Sequence, residues 1–150
     1  MNRQLVHRAL ACLAVAAALT AASPAYAAGT PHRSAGARVA VHYVVSVKTS
    51  DRDWAGTDGD VWLTINGTNG STSPIYLDNE SRDDFERGNT DYFDVWWTDL
   101  GTVTSIDIYF NPAGDSWAMD WTKIAYSGRT DTFPYYYWVV ENGTTHIGAA

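Results

Sequence analysis

The stretch Tyr43–Gly70, YVVSVKTSDRDWAGTDGDVWLTINGTNG, decides the fold. Val41, Tyr43, Val45 and Val47 alternate with other residues at its start, and Val61, Leu63 and Ile65 do so after the middle. A period of two puts each set on one face of a strand. Between them, Ser50–Gly59 is crowded with aspartate and glycine. Asn66–Ser71 has the composition of a hairpin turn. The chain therefore opens as two strands joined by an acidic connection.

Working outward, the same pattern recurs. Ile75 and Leu77 form a short strand beginning at Pro74. Phe93, Val95 and Trp97 alternate with Asp94 and Trp96. Val103, Ile106, Ile108 and Phe110 follow the turn DLGT, and Trp117, Met119, Ile124 and Tyr126 predict a strand with a bulge or break in register. TFPYYYWVV supplies a last strand or two, with Pro134 marking an edge or a kink. No window shows a convincing helical period. Seven or eight short strands separated by Gly/Asn/Asp turns predict an all-β antiparallel sandwich or barrel.

The N-terminus reads as a targeting segment. Arg3 and Arg8 precede an apolar, alanine-rich run, and Ala25-Tyr26-Ala27 fits the small-x-small cleavage rule. Residues 1–27 are expected to be a signal peptide of bacterial type, so the protein is expected to be secreted. Residues 28–39 read as a flexible lead-in and 40–150 as one domain. The single cysteine, Cys12, lies in the leader, which leaves the domain without a thiol or disulfide. Ten Lys and Arg face 17 Asp and Glu, and two of the ten, Arg3 and Arg8, go with the leader. Such a surface repels nucleic acid and anionic lipid unless cations intervene. A monomer is expected.

The acids are not spread evenly. Successive connections of an antiparallel meander alternate between the two ends of a sandwich, so the first, third and fifth share an end. With Asp60 at the strand entry, those three carry 11 of the 17 acids. The second connection, Asn66–Ser73, has none. Crowded carboxylates repel one another, and a hard cation such as calcium, which takes six to eight oxygen ligands, relieves that repulsion. Two simpler explanations stand beside this one: Asp, Asn and Gly suit turns, and acidic surfaces keep secreted proteins soluble. No twelve-residue EF-hand loop is present.

These residues resemble a known module. The A-G-T-D turn (Ala55–Asp58), L-D-N (Leu77–Asn79), F-E-R-G (Phe85–Gly88), D-x-F (Asp91–Phe93), L-G (Leu100, Gly101) and a late Trp117 occur in an order similar to that of the PLAT domain of lipoxygenases, polycystins, animal lipases and clostridial alpha-toxin. The resemblance covers roughly residues 41–140. It implies a sandwich of two four-stranded antiparallel sheets that binds lipid, membrane surfaces or protein partners, in several members with calcium. Carried over, the metal ligands are Gly56 (carbonyl), Thr57, Asp58, Asn79, Asp84 and Asp115, with Asp53 and Asp83 as nearby candidates. Between Asn79 and Phe85 this chain has a residue more than some members. The choice among Glu80, Asp83 and Asp84 therefore stays open.

Three function classes compete. The first is a calcium-dependent binder of lipid or membrane surfaces, or of a lipid-linked protein, with Trp54 at the tip of the acidic loop entering the interface and Trp62 as a second partner-binding aromatic. The second is a carbohydrate- or protein-binding module using the outward aromatics Trp62, Tyr76, Trp96, Tyr136 and Trp138, with metal only structural. The third, an enzyme, is not expected. His32 lies in the lead-in, His42 in a strand and His146 in the tail, and neither a G-x-S-x-G elbow nor H-E-x-x-H is present.

Overall fold

The computed structural model describes residues 39–150, so the expected leader and nearly all of the lead-in lie outside the described residues. Among the described residues nine strands run in chain order: β1 Ala40–Thr49, β2 Asp60–Gly67, β3 Gly70–Ser71, β4 Ile75–Tyr76, β5 Thr90–Thr98, β6 Val103–Asn111, β7 Ala118–Tyr126, β8 Arg129–Trp138 and β9 Gly143–Gly148. The described residues contain no helix. One sheet has the order β5-β1-β7-β8, the other β3-β2-β6-β9 with β4 also paired to β2, and every strand pairing within the two sheets is antiparallel.

The alternation read from the sequence is what closes the sandwich. Tyr43, Val45, Val47, Phe93, Val95, Ile124 and Phe133 line the inner face of the first sheet. Val61, Leu63, Ile65, Ile106, Ile108, Phe110 and Ile147 line the second. Removing this apolar area from water, at about 25 cal/mol per Å², drives the two faces together. Trp117 is fully buried at the acidic end, its ring 5.0 Å from Phe85 and 5.8 Å from Phe110. Its indole N–H donates to Thr49 Oγ1 at 3.1 Å, so the one polar atom of the ring is satisfied.

The second sheet holds five strands rather than four because one edge is broken. β3 and β4, of two residues each, occupy the same side of β2. Between them Thr72 bridges the gap: its N–H donates to Ile65 O and its hydroxyl accepts from Ile65 N, both at 3.0 Å. Pro74 follows and has no N–H to continue the ladder. Pro134 lies in β8, an edge strand, where a missing donor is tolerated. The register between β7 and β8 shifts at Met119/Trp121, the irregularity that the apolar spacing predicted. One expectation is corrected. His146 is not in a tail but in β9, which pairs with β6 through Asp107.

Candidate metal centre

Backbone hydrogen bonds bring the first, third and fifth long connections together at one end. Gly88 N donates to Ser50 O at 3.2 Å and Thr57 N to Phe85 O at 3.3 Å, which join the β1–β2 connection to the β4–β5 connection. Ala118 N donates to Ala55 O at 3.1 Å and joins it to the end of the β6–β7 connection. Gly56 is needed where the loops touch. A Cβ there would stand 3.1 Å from the Arg87 amide nitrogen and 3.3 Å from Phe85 O.

The β4–β5 connection is anchored through Phe85. Its backbone is left-handed, with φ of 60°. It is held there by its ring, packed on Trp117 and Phe93, and by its N–H, which donates to Asp91 Oδ2 at 2.9 Å. Asp91 is fully buried at the start of β5. Burial pushes its carboxyl above the usual range, against the Phe85 hydrogen bond and the Arg82 charge. Among the described residues its Oδ1 has no hydrogen-bond partner, and the Arg82 guanidinium stands off at 3.5 Å.

On this frame Asp58, Asp83 and Glu86 converge. Each offers a carboxylate oxygen within 4.8 Å of the others, and all three are exposed. Asp58 and Thr57 line two adjoining recesses. The larger, of about 460 Å³, also has Gly56, Glu86 and Asp115 in its wall, and the smaller, of about 290 Å³, has Asp83 and Asp84. An all-oxygen donor set of carboxylates suits a hard divalent cation and not a soft one.

The expected ligands divide into groups. Gly56, Thr57, Asp58, Asp83, Asp84 and Asp115 are gathered at this end. Thr57 is buried, and its hydroxyl accepts from Gly59 N at 2.9 Å, which fixes the turn. Asp84 is engaged with Asn79: one oxygen accepts from Asn79 N at 2.7 Å and the other from Asn79 Nδ2 at 2.8 Å. That pair shapes the loop, and of the three acids left open in this segment only Asp83 joins the carboxylate group. Asp53 is drawn away by Arg87, whose guanidinium also holds Asp51 at 2.9 Å. Glu86 is the member of this carboxylate group that the reading of the sequence did not name as a candidate ligand. Its signal was its place between Phe85, which points into the core, and Arg87, which reaches across to the first connection.

The two aromatic candidates separate. Trp54 stands at this pole, 89% exposed and with φ of 64°, beside the larger recess. Trp138 lines the same recess and is also exposed. Trp62 lines neither. It lies on the outer face of the five-stranded sheet, between Tyr76 and Tyr109.

The comparisons with known proteins agree with this architecture. The family model of the PLAT/LH2 domain matches residues 43–147. An allene oxide synthase-lipoxygenase protein of the coral Plexaura homomalla is 32% identical over 116 residues, which are 72% of this chain and 11% of that protein. A solved coral 8R-lipoxygenase, described as activated by calcium via a C2-like domain, superposes with a TM-score of 0.66 at 28% identity, covering 73% of this chain and 17% of that one. A calcium-dependent 11R-lipoxygenase superposes with a TM-score of 0.59 at 29% identity, covering 73% and 17%. The chain thus spans about a tenth of the length of that curated relative, the part that is similar being one domain of a larger protein.

Proposed function

The chain belongs to the PLAT/LH2 domain family, a class of lipid-, membrane- or protein-binding modules, and from that premise we propose that it is a secreted, non-catalytic module that binds membrane surfaces through calcium. The observation that carries this reading is the meeting of Asp58, Asp83 and Glu86 within 4.8 Å beside the exposed ring of Trp54. Without a cation, this acidic pole and the surplus of 17 Asp and Glu over the eight Lys and Arg outside the leader repel a phosphate-bearing surface. Calcium held by the three carboxylates neutralises most of their charge, from −3 to −1, and has coordination sites left through which it bridges directly to lipid phosphate oxygens. Trp54 then supplies an amphipathic ring suited to the headgroup level, and Trp138 a second. The calcium-dependent lipoxygenases lend support, since their similarity to this chain falls on the same domain. Secretion rests on the leader sequence and is part of the proposal.

Vesicle sedimentation tests the reading. Phosphatidylcholine vesicles, with and without phosphatidylserine, are spun with the protein in calcium or in chelator. Pelleting in calcium alone is expected, with loss of about tenfold in affinity, near 1.4 kcal/mol, for Trp54→Ala. Equal pelleting in calcium and chelator, or none in either, overturns it.

A further inference from the structure

A third recess, of about 390 Å³, lies on the outer face of the five-stranded sheet and shares no residue with the acidic pole. Its walls are Trp62, Thr64, Pro74, Asp107, Tyr109 and Thr144. Strand register sets this arrangement: Trp62 is opposite Tyr109, Thr64 is opposite Asp107, and Tyr109 is opposite Thr144. The Trp62 and Tyr109 rings lie 5.5 Å apart. Tyr76 packs on Trp62 at 5.2 Å, and its own hydroxyl donates to Asp60 at 2.9 Å, so the indole is braced.

The polar end is equally set. Asp107 Oδ2 accepts from Asn66 Nδ2 at 2.7 Å, and Oδ1 lies 2.6 Å from His146 Nδ1. Each carboxylate oxygen has two acceptor sites, so one on each remains to receive a donor. Thr64 and Thr144 add hydroxyls to the walls. A mostly apolar recess with a few fixed polar groups is the common form of a small-molecule site.

The chemistry selects the ligand class. A carboxylate with no Lys or Arg among the recess walls disfavours phosphate, sulfate and anionic lipid. A purely apolar side chain would cover Asp107 without giving it a donor, which costs desolvation. A sugar ring has a flat C–H face for the aromatic rings and an edge of hydroxyl donors for the carboxylate. We propose that this recess binds a neutral pyranose of an oligo- or polysaccharide, its C–H surface packed against the Trp62 and Tyr109 rings, which are tilted 55° to each other, and its hydroxyls hydrogen-bonded to Asp107. The site is independent of calcium at the acidic pole.

The test is calorimetry and tryptophan fluorescence on the full chain, in chelator so that the metal centre is silent. The probes are cello-, manno-, malto- and xylo-oligosaccharides, each to about 10 mM, beyond the weak millimolar range. Saturable binding of at least one is expected, with a change in tryptophan emission. Trp62→Ala and Tyr109→Ala should each weaken it about tenfold, Asp107→Asn several-fold, and Trp54→Ala not at all. Thermal midpoints show which variants fold, and Tyr109→Ala decides if Trp62→Ala does not. No binding of any of the four probes, or binding that survives the folded aromatic variants, overturns the proposal. Because the vesicle experiment depends on calcium and Trp54, failure of one proposal is distinguishable from failure of the other.

Discussion

The Phe85 amide donates to the buried carboxylate of Asp91 at 2.9 Å, and this bond ties the loop that carries Asp83 and Glu86 to the first residues of β5. Asp91→Ala leaves that amide buried without an acceptor, which costs about 1–3 kcal/mol. Asp91→Asn keeps a side-chain oxygen there and removes a charge that burial disfavours, so it is expected to cost less. Chemical denaturation measures both. Calcium titration by calorimetry should show Asp91→Ala binding more weakly than Asp91→Asn, because the loop loses its anchor only in the first.

Arg87 is a cation in the wall of the proposed metal centre. It lines the larger recess with Asp58 and Glu86 while its guanidinium holds Asp51 and Asp53. Removing its charge leaves the acidic pole more negative. Arg87→Gln should therefore bind calcium several-fold more tightly at low ionic strength, and the difference should shrink toward 1 M salt, where the Debye length falls to about 3 Å. The fold should be little affected, because exposed ion pairs contribute little. Weaker calcium binding in the variant would mean that Arg87 serves by placing Glu86, and the electrostatic account would fail.

The fold was legible where residues speak for themselves, and less so where partners decide. Alternation in β1, β2 and β5 needs only one strand to be read, and it placed the core face correctly. The meeting of three acidic connections followed from counting the ends of an antiparallel chain. β9 was missed because Thr145 and Ile147 are its only buried residues, too few to mark a period. The role of Glu86 and the diversion of Asp53 were hidden for another reason. Arg87 reaches Asp51 and Asp53 across 36 and 34 residues of sequence, a pairing that only the folded loops create. Trp54 in the acidic loop and Trp62 on a strand were told apart in the sequence, but that Trp62 lies between Tyr76 and Tyr109 depends on strand register and was not.

Asp131 gives the fold an acid-sensitive contact that shares no residue with the proposed metal centre. Burial alone would raise its carboxyl, but hydrogen bonds from Tyr126, at 2.6 Å, and from Arg129, at 2.9 Å, outweigh that and hold it below the usual range. A lowered folded-state pKa means the unfolded chain binds the proton more readily. The contact's stabilisation is therefore complete above the unfolded value, about 3.9, and disappears as the pH falls through the folded value. Wild type should be more stable than Asp131→Asn at pH 7, and the gap should close below about pH 4. Urea midpoints across pH 2.5–7, about the range in which carboxylates titrate, test this. A gap independent of pH would show that the ion contributes nothing.

Tyr43 and Tyr126 make a final test of how the sheets are joined. Both belong to the inner face of the first sheet, and their rings stack at 5.2 Å. Their hydroxyls accept from the amides of Leu100, at 2.9 Å, within the β5–β6 connection, and Val103, at 2.8 Å, at the start of β6. That connection also carries the carbonyl of Leu100 against Gly67, where any Cβ would overlap it. Phenylalanine at either tyrosine preserves the stacking but leaves a buried amide unpaired, for about 1–3 kcal/mol each, and at Tyr126 it also removes the donor to Asp131. The two losses should not add. Once one amide is free the connection relaxes, and the second hydroxyl has less to hold. The double variant is expected to fall short of the sum by about 0.5 kcal/mol or more, the range seen for residues that share a partner segment. Strict additivity in a double-mutant cycle would mean that the two hydroxyls act on the connection independently.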